Sequence, residues 1–208
     1  MSDTDGSARS AVRMPADQRR QQLFEVARER FAHQGFHATS MDEIAEAAGV
    51  TKPVLYQHFP SKRALYVDLL EETGRQLLST LAEATAQAGS LRERVELGFG
   101  AYFRFAVGHR SAFLFLMGTA MRSDPEFARI TEEILDAAAE TIATLIEIPA
   151  PEEQRQMLAN AIVGMAESVG RKALRDPTAV VDSAQLAQWI SELAWFGLRG
   201  VRTDIARD

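Results

Sequence analysis

Apolar positions recur every three and four residues along almost the whole chain, and no stretch alternates with period two between Asn-Gly or Asp-Gly turns. The pattern predicts an all-α fold of about nine helices and no sheet. Leu23, Phe24, Ala27 and Phe31 make one buried stripe over residues 16–34, closed by Gly35. Ser40 and Glu43 read as a capping box that opens a second helix ending at Gly49. Thr51, as a cap with Pro53 in the first turn, opens a third that ends near Phe59-Pro60.

Longer periodic segments follow over residues 61–88, 90–108, 111–121, 124–148, 151–175 and 182–202. Ser90 with Glu93 reads as another capping box, and Asp124-Pro125-Glu126 as a cap, a proline in the first turn and an acidic start. Residues 1–15 have no periodicity and read as a disordered arm. The expected division is therefore an arm at 1–15, a compact three-helix domain at 16–60 and a larger helical domain at 61–208.

Composition narrows the class. A chain of 208 residues, 46% hydrophobic and 25% charged, supports an ordinary buried core. Cysteine is absent, which removes disulfides, thiol nucleophiles and Cys-ligated metal sites. No uncharged apolar run approaches the roughly 18–20 residues of a bilayer span, and the first dozen residues lack the order of a secretory signal. The expected location is the cytoplasm. Nine basic and eight acidic side chains fall in residues 1–64, a net of +1, which leaves −7 for the remainder of a chain whose total is −6. A polyanion-binding module is thus permitted only at the N-terminal end.

Residues 40–59 meet the steric demands of a helix-turn-helix. Ile44 and Ala48 face inward, Ala45 is small at the crossing, Val50 plugs the joint and Leu55 anchors the second helix. Gly49 supplies the turn, where a Cβ is expected to push the two helices apart. The string from Phe36 through Ala45, then Gly49-Val50-Thr51-Lys52-Pro53-Val54-Leu55-Tyr56-Gln57-His58-Phe59 and Ser61-Lys62, resembles the TetR family of transcriptional repressors. The motif covers roughly residues 16–70, and the rest resembles the family in helix number and length.

The resemblance implies that Thr51, Lys52, Pro53 and Val54 open a recognition helix pointing into the major groove. Lys52 suits a guanine edge or a phosphate, while Pro53 and Val54 suit a thymine methyl. It assigns Tyr56 and His58 to phosphate and leaves Gln57 open. Thr39, Ser40 and Lys62 are expected to hold flanking backbone, since free amides and a point charge both suit an anion. Arg9, Arg13, Arg19 and Arg20 are placed to reach the minor groove or phosphates. Asp42 is read as facing solvent and weighs against base contacts from its helix.

Six of the eleven phenylalanines lie between Phe99 and Phe127. Alone, such a cluster reads as core; the resemblance makes this region an effector cavity for an apolar or amphipathic molecule. The expected lining is Phe99, Tyr102, Phe103, Phe113, Leu116, Met117, Met121, Phe127, Asn160 and Met165. The last two helices carry broad apolar faces, and the resemblance implies a four-helix dimer contact through Ile162, Val169, Trp189, Ile190, Leu193 and Phe196. The implied function is a homodimeric repressor of a palindromic double-stranded DNA operator, released by its effector and working without a cofactor. A regulator answering to a protein partner or to concentration alone is the alternative.

Catalysis has little support in the residues. There is no Gly-x-Ser-x-Gly, no phosphate-binding glycine loop and no Glu-x-x-His. Gly35 breaks the helix that would align His33 with His37. Glu132, Asp136 and Glu140 form an acidic stripe without a histidine, which reads as a solvated face.

Overall fold

The computed structural model describes residues 14–118, 124–176 and 178–201. Among them are nine helices and no strand: α1 (Ala16–Ala38), α2 (Met41–Ala47), α3 (Lys52–His58), α4 (Lys62–Ala86), α5 (Leu91–Gly108), α6 (Arg110–Leu116), α7 (Pro125–Leu145), α8 (Glu152–Ala173) and α9 (Ser183–Gly200). The expected arm falls almost wholly outside the described residues, as do Arg9, Arg13 and Met121.

Local chemistry accounts for most of the boundaries. Gly35 interrupts α1 with φ +78° and ψ 169°, a backbone that only glycine adopts without strain, and a further helical turn follows. At α2 the box is complete: Ser40 Oγ accepts from the Glu43 amide at 3.2 Å, and the Glu43 carboxylate accepts from the Ser40 amide at 2.7 Å. These bonds hold the Glu43 carboxyl below its usual range. Asp124 caps α7 through the amides of Glu126 and Phe127, and Asp182 caps α9 through those of Ala184 and Gln185.

Two expected caps differ. Ser90 accepts from the Glu93 amide, but the Glu93 carboxylate reaches past Ser90 to the Gly89 amide, at 2.7 Å. Thr51 precedes α3 without capping it by its side chain. The apolar periodicity also overshoots several helix ends, because it continues into final turns that close only three-residue hydrogen bonds, as from Ala88 to Thr85 and from Arg175 to Lys172. The segment expected to run from 111 to 121 ends its helix at Leu116.

The two expected domains share one core. A continuous cluster runs from Leu23 and Phe24 in α1 through Leu65, Tyr66, Leu69 and Leu70 in α4 to Phe103, Phe113, Phe115 and Phe127. At the joint, Tyr66 lies 4.9 Å from Phe31, 4.7 Å from Phe115 and 4.4 Å from Phe127, while Phe36 meets Phe127 at 5.0 Å. Each fully buried aromatic ring contributes about 1.5–3 kcal/mol. Residue 60 thus marks a joint between helices rather than a gap between cores. Close approach fixes α4 on α7: a Cβ at Gly74 would stand 2.4 Å from Ile134 Cδ1.

Candidate functional site

The helix-turn-helix is built by α2, Gly49 and α3. Gly49 has φ +65°, its amide donates to the Glu46 carbonyl at 3.0 Å, and the Val50 amide donates to the Ala45 carbonyl at 2.9 Å. A Cβ at Gly49 would meet nothing within 4 Å, so the expected steric push between helices does not apply. What demands glycine here is the left-handed backbone.

Leu55 and Phe59 are fully buried and pin α3 against α1 and α2. Between them Tyr56 and Gln57 turn outward. Thr51, Lys52, Pro53, Tyr56 and Gln57 are exposed, Tyr56 at 46%, while Val54 and His58 are half-buried at the margin. Lys52 ion-pairs with Asp42 across the two helices at 2.5 Å, both side chains being more than half exposed. Asp42 therefore faces the same surface as Lys52 and competes for it.

Several residues expected on this face have other duties. Thr39 is 1% exposed, and its hydroxyl donates to the Gly35 carbonyl at 2.9 Å, so its side chain is not on the surface. Ser40 is exposed, but its hydroxyl is engaged with Glu43. Lys62 Nζ donates to the carbonyls of Phe36 and Thr39 at 2.7 Å and to that of His37 at 3.3 Å, over the Phe36 ring at 4.6 Å. An ammonium has three donors, so these carbonyls leave none for an outside phosphate. Lys62 seals the end of α1 and the approach to α2.

Arg20 likewise points inward, donating to Asp68 at 2.6 Å and lying 4.5 Å from the Phe59 ring centre. Arg19 donates to Gln22 of its own helix at 2.7 Å.

A cavity of about 460 Å³ lies between α4, α5, α7, α8 and α9, a size typical of small-molecule sites. Of the expected lining, Phe99 and Tyr102 are there. Phe103, Phe113, Leu116, Met117 and Phe127 are not; they are buried in the main core, where Phe127 joins the rings of Phe36 and Tyr66. Met165 packs half-buried on that core, and Asn160 is exposed on the outer side of α8. Met121 lies outside the described residues.

The cavity walls come instead from Leu77, Leu78 and Leu81 of α4, Ile134, Leu135 and Ile142 of α7, and Ile162 of α8. The apolar stripe of α7 was readable at helical spacing, but nothing in it distinguishes a wall from a packed face. Tyr102 lines the cavity at 7% exposure, and its hydroxyl is buried without a hydrogen-bond partner. Burial raises its pKa well above the usual phenol value.

The last two helices leave apolar side chains uncovered. Trp189, Leu193 and Phe196 of α9 are 55%, 60% and 64% exposed, and Met157 of α8 is 60% exposed. Of the other expected contact residues, Ile162 turns to the cavity, and Val169 and Ile190 pack half-buried on the main core. No described helix is long and apolar enough to cross a membrane.

Residues 23–69 match the model of the bacterial regulatory proteins, tetR family, and residues 91–197 match that of the tetracyclin repressor-like C-terminal domain. The chain is 31% identical over 198 residues to the HTH-type transcriptional activator FasR of Mycolicibacterium smegmatis, covering 94% of this chain and 90% of that one. It is 30% identical over 116 residues to the HTH-type transcriptional repressor KstR2 of Mycobacterium tuberculosis, covering 55% of this chain and 58% of that one. A solved TetR-like transcriptional regulator from Rhodococcus sp. RHA1 superposes with a TM-score of 0.76 at 30% identity, covering 91% of this chain and all of that one.

Proposed function

The chain belongs to the TetR family of transcriptional regulators and carries its DNA-binding helix-turn-helix; from that premise we propose that it acts as a homodimeric repressor of a palindromic operator and is released by a small apolar or amphipathic effector. The observation that carries this reading is that one helix serves both ends. Leu65, Tyr66, Leu69 and Leu70 of α4 pack beneath the reading head, and Leu77, Leu78 and Leu81 of the same helix wall the cavity. A molecule that spreads the walls moves the helix on which the head rests.

In this reading Lys52, Pro53, Tyr56 and Gln57 enter the major groove, with Thr51, Val54 and His58 at its edge and Ser40 beside the flanking phosphates. The uncovered Trp189, Leu193 and Phe196 meet their copies across a two-fold axis. Two heads then stand about 34–36 Å apart, one turn of DNA, and read a palindrome. Effector binding alters that spacing so that both half-sites no longer fit together.

Selection from a random duplex library at fixed salt tests the first half, with Tyr56→Ala and Lys52→Ala as controls. A recovered palindrome that both variants lose supports it; no enrichment at any salt refutes it. The second half requires reciprocity: effector and operator must weaken each other by the same factor.

A second reading concerns direction. The relative matched along nearly the whole chain is named an activator, whereas the one named a repressor matches over about half. Transcription in vitro from the selected operator separates repression from activation by sign.

A further inference from the structure

The cavity wall is almost entirely hydrocarbon. The hydroxyls of Thr85 and Thr141 donate to carbonyls of their own helices, at 2.8 Å to Leu81 and 2.9 Å to Ala137, and that of Ser79 donates to Glu83 at 2.8 Å. One lining residue carries a charge, Arg94, half-buried in the second turn of α5.

The Arg94 side chain has no hydrogen bond or ion pair among the described residues, unlike those of Arg63, Arg75, Arg92, Arg129 and Arg171, each of which has a carboxylate partner. Its own helix offers none, because the positions three and four residues away are Ser90, Leu91, Leu97 and Gly98. Arg104, Arg175 and Arg199 also have no carboxylate partner among the described residues, so what sets Arg94 apart is its place in the wall of the cavity. A guanidinium is also well suited to bidentate binding of a carboxylate or phosphate. From Arg94 to Tyr102 the lining face of α5 rises about 12 Å with only Val95, Gly98 and Phe99 between, an apolar run long enough for an extended chain.

Resting on the reading of this cavity as the effector site, we propose that Arg94 is its anion handle, and that the effector is an elongated apolar molecule with one terminal anionic group, a carboxylate or a phosphoester. The head lies against the guanidinium and the tail runs along α5 toward Tyr102.

The test uses the full chain and four probes of equal chain length below their micelle concentrations: dodecanoate, dodecyl phosphate, dodecanol and dodecyltrimethylammonium. Dissociation constants are measured by calorimetry for the wild type, Arg94→Gln and Arg94→Lys, after circular dichroism melts have shown that the variants fold. In the wild type at least one anionic probe is expected to bind about tenfold or more tighter than dodecanol, the size of one charge-assisted hydrogen bond. Arg94→Gln should erase that preference and leave dodecanol within about twofold, while Arg94→Lys should keep part of it. Which anion gains more identifies the head group. Equal binding of dodecanol and the anions, an anion preference that survives Arg94→Gln, or a preference for the cation overturns the handle and leaves the effector site standing. Failure of all four probes to bind overturns the effector reading of the cavity and the handle with it.

Discussion

The Arg63 guanidinium holds the Asp124 carboxylate through two hydrogen bonds, Nη1 to Oδ2 at 2.8 Å and Nη2 to Oδ1 at 2.9 Å, and so ties the first turn of α4 to the N-cap of α7. Glu126 joins the pair at 2.6 Å from Nε, and the guanidinium lies 4.8 Å from the Phe127 ring centre. Because α7 walls the cavity and α4 supports the reading head, this contact is a short path between the two. Arg63→Gln is expected to leave operator affinity without effector within about twofold and to shrink the effector-induced loss several-fold. Fluorescence anisotropy with labelled operator, with and without effector, measures both. An unchanged effector response would remove Arg63 from the coupling.

The same pair has a defined pH dependence. The Arg63 guanidinium, with help from the backbone amides of Phe127 and Glu126, lowers the Asp124 pKa below the usual carboxylate range. A carboxyl lowered in the folded state adds stability that is present above the unfolded value and is lost as pH falls through the folded one. Its contribution is therefore constant from about pH 5 to pH 8 and disappears only in acid. Acid unfolding followed by circular dichroism should show a shallower loss of stability below pH 4 in Arg63→Gln than in the wild type; identical acid limbs would contradict this.

Lys62 gives a prediction that separates a structural cap from a phosphate contact. Removing its ammonium leaves the Phe36 and Thr39 carbonyls without their donor, at a cost of about 1–3 kcal/mol. Lys62→Ala should lower the unfolding free energy, measured by denaturant titration, by that amount and leave unchanged the slope of log affinity for DNA against log salt. A slope flattened by about one, with stability intact, would instead identify a lost phosphate contact.

Two glycines should fail for different reasons. Gly49→Ala meets no neighbour but forces a side chain into a left-handed backbone, costing about 1–2 kcal/mol. Gly74→Ala gains about 1 kcal/mol of helix propensity and loses about 1–3 kcal/mol to the clash with Ile134. Ile134→Val should therefore rescue part of the Gly74→Ala defect and none of the Gly49→Ala defect. Urea titrations of the singles and doubles decide it, and additive losses at Gly74 and Ile134 would discount the close approach.

The uncovered face of α9 predicts the oligomeric state. Trp189→Glu with Phe196→Glu should convert a dimer to a monomer in analytical ultracentrifugation while retaining the helical spectrum, since both side chains are more than half exposed in the single chain. A wild type that sediments as a monomer at micromolar concentration would refute the two-fold arrangement.

The sequence by itself determined the features whose chemistry is local. The capping box of Ser40 and Glu43, the break at Gly35, the left-handed turn at Gly49 and the caps at Asp124 and Asp182 join residues no more than a few positions apart, so neighbouring residue types are enough to read them. The outward row of α3 is similarly legible, because Leu55 and Phe59 leave it one rotation.

Only the tertiary structure decided which apolar residues wall the cavity, which fill the core and which stay uncovered. Phe99 lines the cavity whereas Phe113 is packed solid, and Ile162 turns inward whereas Phe196 faces out. Both sides of each comparison are large apolar residues at helical spacing. What differs is the rotation of one helix against four others, set by contacts such as Gly74 with Ile134 and Arg63 with Asp124, whose partners lie some sixty positions apart. Lys62 shows the same limit: its charge and position suited a phosphate, and the carbonyls of Phe36, His37 and Thr39, 23–26 residues earlier, took all its donors.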